Sequence, residues 1–261
     1  CQIIGIAIAG AAVSIGAGAL LLLQAVFIGF ALIATWMVLP APSSRDPEST
    51  SSPLSDIRDG LKVALDTPLI IPIILLMVAM GFCFMGWFLV ILPLTIRDVF
   101  AGNSPQLAYA HTCFMSGTVA AMVGVLRFGQ IARPGKALTL SLATTALLLL
   151  ITQFHMSLTL YLVCVFLFGM ASGINMAMAR SIVLEKAPAS YRARLLSIFQ
   201  LGYLGAAPIG ALAMGYLTAF LGPLQTALIS GSLLGLVVLI VVPGAGLWPY
   251  QRETEQLKRT K

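Results

Sequence analysis

The first 39 residues, Cys1 to Leu39, carry no ionisable side chain other than the thiol of Cys1. A single helix of that length would run to about 58 Å, nearly twice the roughly 30 Å of a bilayer's hydrocarbon core. A turn near "SIGAG", Ser14 to Gly18, divides the run into spans at about 1–15 and 18–39. Comparable apolar runs recur at about 69–94, 107–127, 137–153, 158–182, 195–219 and 224–242, giving eight candidate spans. Composition agrees: 59% of residues are hydrophobic and 9% charged, against a usual quarter or so charged, too few to cover a water-soluble surface. The predicted fold class is all-α, a polytopic helical membrane protein. The chain opens inside an apolar run with neither Met nor a charged leader, so a truncated chain is favoured over a signal peptide or a lipidated Cys1.

Cys1, Cys83, Cys113 and Cys164 have no CxxC spacing, which suggests neither a zinc site nor a disulfide framework. They read as small apolar residues, and no metal or cofactor is expected.

The cations are distributed unevenly. Arg45, Arg58 and Lys62 follow span two; Arg127, Arg133 and Lys136 follow span four; Arg180, Lys186, Arg192 and Arg194 follow span six; Arg252, Lys258, Arg259 and Lys261 follow span eight. These are fourteen of the fifteen, and only Arg97 falls on the other side. Lys and Arg are retained on the cytoplasmic face during insertion, so both ends are expected in the cytoplasm. The net charge of +6 is accounted for by anionic lipid headgroups, without nucleic acid.

Between spans two and three, "PAPSSRDPESTSSP" (Pro40 to Pro53) reads as a solvated linker. "LSDIRDGLKVALD" (Leu54 to Asp66) then sets Leu54, Ile57, Leu61 and Leu65 on one helical face, opposite Asp56, Asp59 and Asp66. Ser52 can cap this helix, Pro53 suits its first turn and Pro68 ends it. It is either an interfacial helix along the inner leaflet or a short helix packed on protein.

An internal echo links the ends of the chain. "GIAIAGA" (Gly5 to Ala11) and "GAAPIGA" (Gly205 to Ala211) share G-x-A-x-x-G-A, and "VLP" (Val38 to Pro40) is matched by "VVP" (Val241 to Pro243). Spans one and two therefore read as a repeat of spans seven and eight, with four helices missing in front.

The residues resemble the major facilitator superfamily, in its drug-efflux and enterobactin-exporter-like branch. "PASYRARLLSIFQLGYLGAAPIGALAMG" (Pro188 to Gly215) is similar to the family's P-x-x-x-R-G-R loop and its Gly/Pro-rich eleventh helix; "ILPLTIRDVFAGN" (Ile91 to Asn103) is similar to the end of helix seven. "GIAIAG" takes the place of the antiporter-type G-P-x-x-G-G signature, with Ile6 where proline is expected. "RPGK" (Arg133 to Lys136) resembles half of the D-R-x-G-R-[RK] loop, with Ala132 in place of the acid. The resemblance implies the last two helices of an N-terminal bundle at 1–39, a cytoplasmic linker with an amphipathic helix at 40–67, a six-helix bundle (helices seven to twelve) at 68–243, and a cytoplasmic tail at 244–261. It implies a secondary transporter exporting small amphipathic molecules across the plasma membrane, the inner one in a bacterium. Coupling to a proton or another cation stays open. Arg133, Lys136, Arg192 and Arg194 become candidates for a cytoplasmic gate; setting topology alone is the equal alternative.

Ionisable groups at bilayer depth usually mark an ion route, and none lies near the middle of any span. His111 is read as an interfacial hydrogen-bonding group. The resemblance places helices seven, eight, ten and eleven around the cavity. That makes Phe84, Trp87, Phe88, Thr112, Ser116, Ser172, Asn175, Gln200 and Tyr203 the candidate substrate contacts. Asn175 and Gln200 sit well inside their spans, where an amide needs either a partner helix or water. Pro93, Gly205, Pro208 and Gly210 are candidate hinges, since proline removes a helical hydrogen bond and glycine admits close, bendable packing.

An intramembrane serine hydrolase is disfavoured: Ser116 and Ser172 precede glycines, but G-x-S-G is absent and neither pairs with a midspan His. The chain is not expected to be an enzyme. The alternative to a carrier is a non-transporting scaffold, subunit or inactive fragment.

Overall fold

The computed structural model describes residues 17–38, 53–128, 131–248 and Tyr250, and every regular element among them is helical. The predicted span at 1–15, the echo at Gly5 to Ala11, Ser52, the linker up to it and the tail from Gln251 lie outside the described residues. The chain divides into two units, Cys1–Leu54 and Ser55–Lys261. In the first, α1 (Ala17–Val38) is a 22-residue helix, long enough to cross a bilayer, whose described side chains from Gln24 to Met37 are almost all exposed.

The second unit begins within α2 (Pro53–Asp66), which is followed by six helices long and apolar enough to span: α3 (Ile70–Val99), α4 (Ser104–Phe128), α5 (Pro134–Ile151), α6 (Leu158–Lys186), α7 (Arg192–Leu221) and α8 (Pro223–Ala245). Sequence punctuation sets their ends. Pro134 and Pro223 occupy first-turn positions, where a missing N–H costs nothing, and Ser157 caps α6 by accepting from the Leu160 N–H at 3.4 Å. Gly222, at φ 80°, supplies the reversal between α7 and α8.

The helices form a bundle in which α3 also meets α6, and α7 also meets α6 and α8. α7 packs on α3, α3 on α8, α8 on α5, α5 on α6, and α6 on α4. Only 22% of the apolar window of α4, and the same share for α7, is buried, against 33–56% for the other spans. α4 and α7 are therefore the rims of the bundle, while α5 and α8 pack together on its far side.

Because lipid tails are as apolar as leucine, helices in a bilayer associate through close packing more than through the hydrophobic effect. Glycines provide it here. A Cβ on Gly169 of α6 would strike the Phe114 carbonyl oxygen of α4, and one on Gly117 of α4 would strike the Phe166 carbonyl oxygen of α6. The Thr118 hydroxyl, on α4, also lies 3.1 Å from the Gly169 carbonyl oxygen it can donate to. The α3–α7 crossing repeats the device, with Gly81 against the Tyr203 carbonyl and Gly210 against the Phe82 carbonyl. A buried hydrogen bond from the Ser230 hydroxyl to the Cys83 carbonyl, 2.9 Å, ties α8 to α3.

Two local features were not anticipated. α3 outlasts its predicted end at 94 by five residues and contains two π-helical turns, Trp87–Ile91 and Thr95–Val99, on either side of Leu92–Leu94. Pro93 explains their location: its ring crowds the carbonyl four residues back and it offers no N–H, and widened turns on both sides accommodate this. After α8, Gly246 adopts φ 64° and turns the chain under the bundle. Leu247 is fully buried there, Trp248 lies 5.1 Å from Lys136 Nζ, and Tyr250 lies 5.1 Å from Lys186 Nζ. The start of the predicted tail is thus a strap across the ends of α5 and α6.

Candidate functional site

The wide turns of α3 put its aromatic residues at the junction with α4 and α6. Trp87 stacks with Phe84, centroids 5.7 Å apart, and meets Phe168 of α6 at 4.4 Å. Phe114 of α4 contacts Phe84 at 5.7 Å and Phe88 at 4.7 Å. His111 of α4 stands edge-on to Phe88 at 5.1 Å, its Nδ1 2.9 Å from the Leu107 carbonyl oxygen. The cluster grades from closed to open. Phe84, Trp87 and Phe168 are buried, whereas Phe88 and His111 are half-buried. Trp87 Nε1 is buried without a hydrogen-bond partner, a group that elsewhere usually finds one.

Phe84, Trp87 and Phe88 are therefore brought together, and Phe114, Phe168 and His111 complete the group. Sequence reasoning did not assign the first two. Their signal was adjacency to the packing glycines: Phe114 stands three residues before Gly117, and Phe168 immediately before Gly169.

The polar candidates are dispersed. Thr112 and Ser116 are half-buried on α4, and their hydroxyls bond back to the Ala108 and Cys113 carbonyls at 2.9 and 2.8 Å. Ser172 is half-buried on α6. Asn175, on the same helix, is 1% exposed with Oδ1 unpartnered. It lies about 200° round α6 from Gly173, which faces α4, so it points away from that rim. Gln200 is exposed on rim helix α7, and Tyr203, on the same helix, is buried at the crossing with α3.

The hinge candidates also separate. Pro93 sits between the π turns. α7 runs as one α-helix through Pro208, which is exposed. Gly205 is exposed with room for a side chain, its nearest neighbour being Leu201 Cδ1 at 4.0 Å, whereas Gly210 is locked against the Phe82 backbone.

At the basic end, Arg133 and Lys136 flank the start of α5, with Lys136 against Trp248. Arg192 Nε donates to the Ala187 carbonyl at 3.4 Å, and the Arg194 guanidinium lies 5.5 Å from the Tyr191 ring. At the opposite end of the spans, Arg97 and Asp98 form a two-pronged pair, 2.6 and 3.0 Å, both exposed. A cavity of about 290 Å³ lies beside them, lined by Pro93, Leu94, Ile96, Arg97, Gly102, Asn103, Ser104 and Leu107. Of the residues singled out from the sequence as contacts, gates or hinges, it includes Pro93 alone.

Six spanning helices packed in one bundle, cations gathered at one end and an aromatic cluster near one rim define an integral membrane protein of the transporter class. Residues 84–260 match the Major Facilitator Superfamily, about two thirds of the chain, and the protein belongs to that family. It is thus a membrane transporter of the major facilitator type, a family of carriers and not of enzymes. No curated protein matches the chain.

Proposed function

We propose that Ile70–Ala245 is the second bundle of a twelve-helix exporter, with the first 39 residues contributing helices five and six of the first. Carriers of this type alternate access by rocking two bundles about a midplane site. The observation that carries the reading is the aromatic cluster opening from buried Trp87 to half-buried Phe88 and His111 beside rim helix α4. Such a surface suits a flat, carbon-rich substrate. Thr112, Ser116 and, on the other rim, Gln200 supply neutral polar contacts, and their neutrality favours amphipathic molecules over inorganic ions.

Gating falls to Arg133, Lys136, Arg192 and Arg194 at the cytoplasmic end, with both termini on that side of a bacterial inner membrane. Asp98 is engaged by Arg97, so a coupling proton would travel on groups of the other bundle. The reading of the chain as a subunit or fragment draws on one observation: the second unit holds one bundle, and alternation needs two.

The test is accumulation of fluorescent amphipathic dyes by inverted vesicles containing the chain, alone and with the four preceding helices supplied. Energised uptake that drops at least tenfold in Phe88→Ala supports the exporter reading. Dye movement equal to empty vesicles in both arrangements refutes it.

A further inference from the structure

We propose that α2 is a two-sided adaptor that docks on the bundle by one edge and on an anionic phospholipid surface by the next. Sequence alone left two readings of this helix, interfacial or packed on protein, and the structure assigns each to a different edge. Gly60 faces Ile198 Cδ1, 2.9 Å from an ideal Cβ, and Arg194 Cβ at 3.5 Å, both on the first turns of α7; Ala64 is fully buried. The neighbouring edge is uncovered: Leu61 is 46% and Leu65 67% exposed.

The order of residues round the helix identifies the partner. Going round from Gly60, Ala64 comes at about 40°, Leu61 at about 100°, Leu65 at about 140°, Lys62 at about 200° and Asp66 at about 240°. The exposed leucines are thus bordered by the protein-facing edge on one side and by a cation on the other, with the acid farther round. A leucine pair bordered by lysine matches the boundary between acyl chains and negatively charged headgroups. A water-facing edge would not need Leu61 and Leu65. The docking site on α7 also fixes the depth, because Arg192 and Arg194 stand where α7 emerges from its apolar run. Arg192 is exposed, Arg194 half-buried and Lys62 exposed, so this end of the bundle is electropositive. The inference rests on membrane embedding, not on the exporter reading.

The experiment uses the full chain with Cys1, Cys83, Cys113 and Cys164 replaced by Ala and Leu65→Cys carrying an environment-sensitive fluorophore. It is reconstituted in phosphatidylcholine vesicles with or without phosphatidylglycerol. With phosphatidylglycerol, the fluorophore is expected to be quenched by lipids bearing a nitroxide near the headgroup and shielded from aqueous iodide. Lys62→Gln should lower the lipid-contact ratio about fivefold in those vesicles, the equivalent of about 1 kcal/mol for one cation at an anionic surface, and leave it unchanged in phosphatidylcholine alone. Leu61→Cys gives a second reporter on the same edge if the label at 65 unseats the helix. Iodide quenching in both lipids would overturn the proposal. So would protection from both quenchers, which would place the first unit or a second copy of the chain over this edge, and so would a Lys62→Gln variant indistinguishable from the parent.

Discussion

The α4–α6 crossing offers the sharpest test of how the bundle is held together. In Gly169→Ala the new methyl would overlap the Phe114 carbonyl oxygen, which belongs to helix backbone and cannot rotate away. Relief requires the two helices to part by about 1 Å or more, and overpacking of this kind typically costs about 1–3 kcal/mol. Parting also weakens the reciprocal contact of Gly117 with Phe166 and stretches the Thr118–Gly169 hydrogen bond, for which about 0.6 kcal/mol is the mean inside bilayers. The better helix propensity of Ala returns up to about 1 kcal/mol. With the full propensity gain the net expectation is a loss of about 0.6–2.6 kcal/mol, or roughly 2–8 °C in Tm for a unit of this size. Cys83 and Cys164 are buried, so with Cys1 and Cys113 replaced by Ala in every variant, a thiol-reactive dye that fluoresces when they become accessible reports unfolding in detergent. Gly205→Ala and Gly124→Ala, where a methyl meets open space or nothing closer than 4.0 Å, are matched controls expected at or slightly above the parent Tm. A Gly169→Ala protein melting within 1 °C of those controls would refute close backbone packing as the cause of the α4–α6 association.

Three further outcomes follow from particular contacts. Trp248→Ala removes the ring over Lys136, worth about 0.5–1 kcal/mol, and should speed trypsin cleavage after Lys136 roughly two- to fivefold in limited proteolysis. An unchanged rate would show that the strap does not shield the start of α5. Trp87→Phe removes a buried N–H that has no partner, so its Tm should stay within about 3 °C of the parent despite the lost ring volume, and a larger fall would reveal a bond to water at Nε1. Ser230→Ala deletes the α8–α3 hydrogen bond, at about 0.6 kcal/mol, and should lower Tm by roughly 1–2 °C, whereas no change would mark that bond as energetically idle.

Much of the bundle could be read from the chain because span length is dictated by the bilayer. The run from 158 to 182 grew only to Lys186, and that from 224 to 242 only to Ala245. Pro53 begins α2 as its place in the sequence suggested, whereas the starts set by Pro134, Ser157 and Pro223 emerged only in the structure. Partners were less legible. Gly205 and Gly210 belong to one motif on α7, yet only Gly210 meets a neighbouring backbone, because the distinction depends on which face turns toward α3. Gly81, Gly86 and Gly117 carry equal packing duty without forming a recognisable spacing. The π turns of α3 reflect Pro93 within a long apolar helix, where a kink or a widening serves equally well until neighbours choose. The strap was hidden because Leu247 and Trp248 also suit a membrane interface; only the reversal at Gly246 directs them under α5. For the site, the α3 aromatics were visible as a cluster in sequence, but Phe114 and Phe168 join them only through the glycine crossing of α4 and α6.

A water-filled path between the rims is what separates a carrier from a packed bundle, and Gln200 on α7 is the place to look for it. With the native cysteines replaced, Gln200→Cys should react with a charged, membrane-impermeant thiol reagent in intact vesicles, and an amphipathic dye should slow that reaction. A cysteine at 200 that stays inert to the charged reagent while reacting with a lipid-soluble one would place that residue against acyl chains and contradict the account.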